Sequence, residues 1–516
     1  MDLDQVERAI ASLVEPDAPG LAVGVYADGK VLRTAAKGVA TVEFGVPVDA
    51  TTRFDIASAS KQFTAACLLL LARDGKLSLS DDVRKHLPEL SLEVPVTLGQ
   101  CLQHTGGLPE WYALQAITGV PLQVLSEERL MKIVEAIRRT AFEPGTDFSY
   151  SNTGYILAAV VVRRVTGQSL AEFARDRVFT PLGMTDTVYR DDASVPLPRM
   201  AYGYAGGSRA DTEESAVGDG SLVTSVSDLA SWFGFLADGR VLGADLRDAL
   251  LERAILADGT VLPYAHGIYH TTIGDLPAYA HAGGMHGYVS NLLYLPGPDL
   301  GIAVLTNQSA LDPIGLSEGL AAALTGQRPA AKPVLLEAGR AEAARPPLLG
   351  HWQDVAAGEA ISLAPVAEGR IAAELHGEPV EFALGEDGRW QGQGEADGAW
   401  LALEDGRLLL GSQSAARRPV VFRPCAAPGD APAPEGAWLS DELGVLAVHQ
   451  DGELSVGLTL RLPVTPAPAG AWRAGPFTLR LDEAGDLLLS GGGLRGMRFF
   501  AAPEGTRPVG IPPGLV

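Results

Sequence analysis

Three cysteines in 516 residues, Cys67, Cys101 and Cys425, stand apart with no Cys-x-x-Cys pair among them. So sparse and odd a set excludes a disulfide scaffold and fits a reducing compartment. Positive charge is also scarce. The net charge is -23, the sequence pI is about 4.8, and no block of Lys and Arg occurs. Nucleic acid and anionic membrane are therefore not expected partners. No apolar run approaches the ~18 residues that span a bilayer. The opening MDLDQVERAIASLVEP has no basic stretch followed by an apolar one. No signal peptide is expected, and the cytoplasm is the expected location.

What is present is a globular composition, 47% hydrophobic and 20% charged, in a chain too long for one core. An amphipathic helix ending near Pro16 leads into GLAVGVYADGKVLRTAAKGVATVE, a hairpin turning at Asp28-Gly29. A helix begins at Ser58 and stops at Gly75. Residues 80–245 read as helical patterns broken by Gly and Pro, and 260–308 turn strand-like again. GLSEGLAAALTG then closes the region with a helix. Strands at both ends flanking a helical middle predict an α+β domain over 1–328: an antiparallel sheet flanked by helices, plus an all-helical subdomain. The Pro/Ala-rich stretch 329–345 reads as a linker. Beyond it, short alternating strands predict two small antiparallel β-barrels, 346–424 and 436–516, joined by a linker at 425–435. The two look duplicated. Each opens with Gly-x-Trp (Trp352, Trp438), carries a second Trp (Trp400, Trp472), and nears its end at a Leu-Leu-Leu strand.

The chemistry gathers in three places. Within FDIASASKQFTAACLLLLARDG, Ser58 and Lys61 have Ser-x-x-Lys spacing, which puts both on one face of a helix. A lysine there can take the serine's proton, and the helix N-terminus favours developing negative charge. Ser60 has Phe63 at the same offset and lacks a basic partner. Taken alone, the pattern fits a capping serine with a snorkelling lysine better than a nucleophile with its base. Second, Tyr150-Ser151-Asn152 precedes an apolar helix: the phenol can serve as a base and the carboxamide can grip a substrate amide. Third, His281-Ala282-Gly283-Gly284 enters a strand whose small residues allow close backbone approach. An N–H there could complete an oxyanion hole with that of Ser58.

These three motifs, in this order, resemble the penicillin-recognising serine enzymes: class C β-lactamases, D,D-peptidases and related esterases. SKQFTA, LGQCLQHTGGLPEW and FEPGTDFSYSN add to the resemblance, which covers about residues 1–325. With its two barrels the whole chain is similar to the D-aminopeptidase branch, and GAWLSDELGVL resembles that branch's barrel segment. The resemblance implies that Ser58 forms an acyl-enzyme and that Lys61 and Tyr150 share the proton transfers. It implies that Asn152 and Gly283 line the substrate, and that His281 stands where other members carry lysine and helps position Tyr150. The N–H groups of Ser58 and Gly284 would form the oxyanion hole, with no metal and no organic cofactor.

The branch also has a long loop from its last barrel that brings an acid to the substrate's amine. Here GAWRAGPFTLRLDEAGD joins its strands through little more than Arg473-Ala474-Gly475-Pro476. That departure predicts a more open cleft, with esterase, amidase or carboxypeptidase habits. Trp111 and Tyr112 fit either an aromatic wall on the cleft or plain helix packing. Asp219 fits a cleft residue or an Asp-Gly turn. Ser317 in Gly-x-Ser-x-Gly lacks the strand that a nucleophile elbow needs. His266 and His270, four strand residues apart, would lie ~13 Å from each other, too far for one metal ion. The expectation is a cytoplasmic serine hydrolase of small-molecule or short-peptide substrates, with a homodimer left open. D-aminoacyl substrates lead, a β-lactamase-like esterase or D,D-carboxypeptidase is the rival enzyme, and a penicillin-recognising binding module is the rival outside catalysis.

Overall fold

Asp28 and Gly29 both adopt left-handed conformations, with φ of 51° and 65°. That is the geometry of a tight two-residue hairpin turn. It joins strands Leu21–Ala27 and Lys30–Lys37. The computed structural model describes residues 2–503 and 506, apart from 123–124, 212–215, 328–347, 355–357, 367–369, 376–377, 394–398, 413–418, 430–431 and 458. In it the hairpin ends a six-stranded antiparallel sheet. The strands run in the order Tyr269–Ile273, Leu276–Met285, Tyr288–Leu295, Leu300–Thr306, Leu21–Ala27, Lys30–Lys37. N- and C-terminal parts of the domain thus meet at the centre of one sheet.

Both faces of that sheet are covered. Leu21, Val23, Val25, Leu293, Ile302 and Val304 point to one side, against helices Asp4–Ile10 and Pro313–Thr325. Their neighbours Ala22, Leu292, Ala303 and Leu305 point to the other side and join the main core. Side chains alternate across a strand, so a strand covered on both faces must be apolar throughout. This is why YVSNLLYL and LGIAVLT show no polar alternation. Helix Lys61–Arg73 lies in the main core and is buried along nearly its whole length, packed on helix Thr153–Thr166. It ends at Gly75, whose φ of 68° suits a glycine just past a helix. No helix among the described residues is long and apolar enough to cross a membrane.

The C-terminal part contains two closed eight-stranded antiparallel barrels, from Gly350–Asp354 to Val420–Pro424 and from Gly436–Leu439 to Leu494–Ala501. Both are simple meanders. Trp352 and Trp438 sit in the first strand of each, and the Leu-Leu-Leu strands, Arg407–Ser412 and Leu487–Gly491, are the seventh. The second tryptophans do not correspond. Trp472 is on the fifth strand of its barrel (Ala471–Ala474), whereas Trp400 is on the sixth (Ala399–Glu404). The residue on the fifth strand of the first barrel is Trp390. Trp400 stands one strand before its Leu-Leu-Leu strand and Trp472 two strands before its own, so their shared order along the sequence does not make them equivalent. The expected linker 329–345 lies outside the described residues.

The barrels relate differently to the catalytic domain. The first has a core of its own, including Trp352, Phe382, Trp390 and Phe422. The core of the second is continuous with the main core: Trp438, Leu443, Val445 and Phe477 belong to the same buried cluster as Trp111, Leu114 and Ile117.

Candidate active site

Ser58 lies in a 3-10 turn, Ala57–Ser60, that runs straight into helix Lys61–Arg73. The turn is strained at Ala57, a non-glycine with φ of 46°. Its neighbours hold it there. The buried carboxylate of Asp55 accepts the Ala57 N–H at 2.7 Å, and Ser290 Oγ donates to the Ile56 carbonyl at 2.8 Å. Gly283 faces the same carbonyl so closely that a Cβ there would stand 1.9 Å from its oxygen. The third motif therefore lies directly on the turn that carries Ser58. It is the second half of strand Leu276–Met285, and strand Tyr269–Ile273 pairs only with Leu276–Ala280. Past Ala280 that edge is not covered by Tyr269–Ile273, and Gly284 is exposed there. Ser60 is fully buried, and its hydroxyl finds no hydrogen-bond partner.

Lys61 is completely buried, and its ammonium meets three oxygens: Ser58 Oγ at 3.0 Å, Asn152 Oδ1 at 2.7 Å and the Asp219 carbonyl at 2.6 Å. Burial pushes its pKa down to about 8, while the carboxyl groups of Asp219 and Glu110 hold it up against that effect. The Lys61 ammonium stands 5.1 Å from the centroid of the Tyr150 ring. The structure thus brings Ser58, Lys61, Tyr150 and Asn152 together.

Two acids complete this arrangement. Glu110 Oε2 accepts the Asn152 backbone N–H at 2.8 Å, and Oε1 accepts from Asn152 Nδ2 at 3.3 Å. Burial, together with the nearby Asp219 charge, raises the Glu110 pKa. Asp219, also buried, accepts the Trp111 indole N–H at 2.9 Å. Trp111 is 1% exposed, so it is a packing residue and not a cleft wall. Tyr112 stacks on it with ring centroids 3.7 Å apart and is half-buried, its hydroxyl 4.0 Å from Met285 Sδ at the end of the third motif.

The His281 and Tyr150 ring centroids are 6.2 Å apart. A relay links them. The Ser151 N–H donates to His104 Nδ1 at 3.2 Å, which requires the His104 proton to sit on Nε2. That nitrogen and the Tyr264 hydroxyl are 3.1 Å apart, and the same hydroxyl is 3.1 Å from His281 Nε2. His281 Nδ1 is 2.6 Å from the Ala282 carbonyl and must donate there. The His104 ring also packs on the Tyr150 ring, with centroids 4.2 Å apart.

The sequence reading passed over Glu110, His104 and Tyr264. The first two lie in LGQCLQHTGGLPEW, a stretch whose resemblance was visible but whose contacts were not. Nothing in the local sequence marks Tyr264. His266 and His270 bond to the carbonyls of Ala249 and Leu251, at 2.8 and 2.9 Å. His266 precedes the strand instead of lying in it. Ser317 is buried inside helix Pro313–Thr325, donating to the Ile314 carbonyl and accepting from Asn291. It is no nucleophile elbow.

The chain is similar over much of its length to known proteins. A D-aminopeptidase of Cereibacter sphaeroides (strain KD131 / KCTC 12085) is 28% identical over 421 residues, 78% of this chain and 77% of that protein. A D-aminopeptidase of Gluconobacter oxydans (strain 621H) is 28% identical over 327 residues, 62% of each chain. Among solved structures, the octameric penicillin-binding protein homologue from Pyrococcus abyssi superposes with a TM-score of 0.58 at 22% identity, over 82% of this chain and all of that one. That likeness extends to the fold. The Beta-lactamase family model matches residues 6–327, well over half of the chain, and the chain belongs to that family of serine hydrolases.

Proposed function

We propose that the protein hydrolyses amide, peptide or ester bonds of small D-aminoacyl substrates through an acyl-enzyme on Ser58. The observation that carries the reading is the 3.0 Å contact between Ser58 Oγ and a fully buried lysine whose pKa is depressed to about 8. A lysine of that pKa is neutral in about a fifth of molecules near pH 7.4, and in that form it can accept the serine's proton. Ser58 Oγ then attacks the substrate carbonyl carbon. The C=O electron pair moves onto oxygen, where the N–H groups of Ser58 and Gly284 stabilise it. Collapse expels the amine or alcohol, which takes the proton back by way of Lys61 and Tyr150. Water attacks the resulting ester in the same manner and releases the acid. Asn152, held by Glu110 and Lys61, would meet the substrate amide.

The D-aminoacyl preference rests on the relatives of this chain that are D-aminopeptidases. A second reading, a β-lactamase-like esterase or D,D-carboxypeptidase, is favoured by one observation. Ala474 pairs with Phe477 across a two-residue turn at Gly475, so no long barrel loop arises there. Turnover of D-alanine p-nitroanilide, p-nitrophenyl esters and a chromogenic cephalosporin, by wild type and Ser58→Ala, tests both. Turnover of the anilide that is lost in Ser58→Ala supports the first reading. Turnover of esters alone removes the aminopeptidase assignment, and equal activity of the two proteins removes the serine mechanism.

A further inference from the structure

The catalytic Tyr150 ends a long irregular stretch. After helix Glu127–Glu135, residues 136–150 form no helix or strand. A phenol on such a stretch has to be fixed from outside, because backbone freedom would otherwise blur its distance to Lys61 and Ser58. Part of the fixing comes from the catalytic domain. The N–H groups of Gly145 and Ser149 bond to the carbonyls of Thr105 and His104. The rest comes from the second barrel, and it grips both ends of the stretch.

At the leading end, Glu442 reaches over from the turn after strand Gly436–Leu439. Its Oε1 accepts the backbone N–H groups of Arg138 at 3.2 Å and Arg139 at 3.0 Å, and also Arg139 Nη1 at 3.2 Å. The Glu442 side chain is 7% exposed, so removing it would leave two amides without an acceptor in a nearly dry site. Asp441 pairs with both arginines. At the trailing end, Arg495 leaves the last strand of the barrel. It donates from Nη1 to Asp147 Oδ2 at 2.7 Å and from Nη2 to the Phe148 carbonyl at 3.2 Å, two residues before Tyr150. Its guanidinium also lies 5.3 Å from the Phe142 ring centroid. Between the two grips, the barrel turn at Gly491–Gly493 presses on the helix-start residue that holds Asn152. A Cβ at Gly493 would stand 2.6 Å from Glu110 Cβ. The shared core of the barrel and the catalytic domain makes this a rigid support and not a surface touch.

We propose that the second barrel acts in catalysis as a clamp. Arg495, with Asp441 and Glu442, consists of positioning residues that hold the 138–150 stretch and thereby set Tyr150 against Lys61 and Ser58. None of the three touches the reacting atoms. The proposal rests on the Ser58–Lys61–Tyr150 reading of the site. An isolated exposed ion pair contributes little. The Arg495 grip differs in also binding a main-chain carbonyl, which ties it to backbone position.

The test uses the full chain and p-nitrophenyl acetate, with Ser58→Ala as the control for the site itself. Full activity in Ser58→Ala refutes the reading of the nucleophile, whatever the clamp does. Given an inactive Ser58→Ala, Arg495→Gln and Asp147→Asn are compared with wild type and with the exchanged pair Arg495→Asp/Asp147→Arg. The expected result is a fall in kcat of about tenfold in each single variant, with KM little changed, because sub-ångström displacement of a proton-transfer group acts on the chemical step. The exchanged pair is expected to recover part of that kcat. A kcat within about threefold of wild type in the single variants, even with a lowered Tm, would show the contact to be merely structural and overturn the proposal. So would an exchanged pair no faster than Arg495→Asp alone. If Arg495→Gln does not fold, Asp147→Asn decides by the same threshold, since it keeps the Phe148 contact.

Discussion

Lys61 can act as the base only when it has lost its proton, so its depressed pKa has a kinetic consequence. With a pKa of about 8, half of the free enzyme carries neutral Lys61 at that pH. Two units lower, roughly one molecule in a hundred does. The kcat/KM for an uncharged ester such as p-nitrophenyl acetate should therefore rise about 50-fold between roughly pH 6 and pH 8 and level off above. The perturbation is Glu110→Gln. Its carboxyl group favours the protonated lysine, so removing that charge lets Lys61 deprotonate more readily. The rising limb should then move to lower pH, and Asp219→Asn should move it the same way. Initial rates over a pH series, corrected for spontaneous hydrolysis, give both curves. A flat profile in wild type would refute Lys61 as the base. A limb displaced toward alkaline pH in Glu110→Gln would refute the electrostatic account of its pKa.

Ser60→Ala should keep wild-type turnover and lose no stability, because the removed hydroxyl is buried without a partner, whereas Ser58→Ala should abolish turnover; steady-state rates and thermal melts separate the two. Gly283→Ala should push the Ile56 carbonyl away and disturb the Ser58 turn, with a loss of about 1–3 kcal/mol and a larger loss of kcat; an unchanged kcat would show that the turn tolerates the shift. Trp111→Phe keeps the packing but removes the N–H donor to Asp219, and should cost about 1–3 kcal/mol by urea denaturation; no loss would mean that the carboxylate finds another donor.

Local pattern carried a great deal of this protein. Spacing alone singled out Ser58 over Ser60, and the structure gives the two hydroxyls different surroundings: one meets an ammonium, the other is sealed in the core. The Asp28-Gly29 hairpin, the closing helix Pro313–Thr325 and the two barrels were legible because turn residues and period-two alternation are properties of neighbouring residues. The pairing of Trp400 with Trp472 failed because their shared order along the sequence does not count the strands between, and one more strand follows Trp472 than Trp400. Trp111 illustrates a different limit. An aromatic before a helix looks the same whether it lines a cleft or fills a core, and only the position of Asp219, 108 residues away, puts it in the core.

By itself the sequence determined the parts: a serine with its lysine, a tyrosine, a strand of small residues, an α+β domain and two barrels. Each is specified by residues within a turn or two of one another. Tertiary structure alone decided how the parts act on each other. Glu110 and Asp219 become neighbours of Lys61 only when segments distant in the chain close around it. His104, Tyr264 and His281 become one relay only across three segments. The second barrel comes to grip the stretch bearing Tyr150 from residues about 300 positions further on. Hydrogen bonds and charges act through space over a few ångströms, and no spacing along the chain records them.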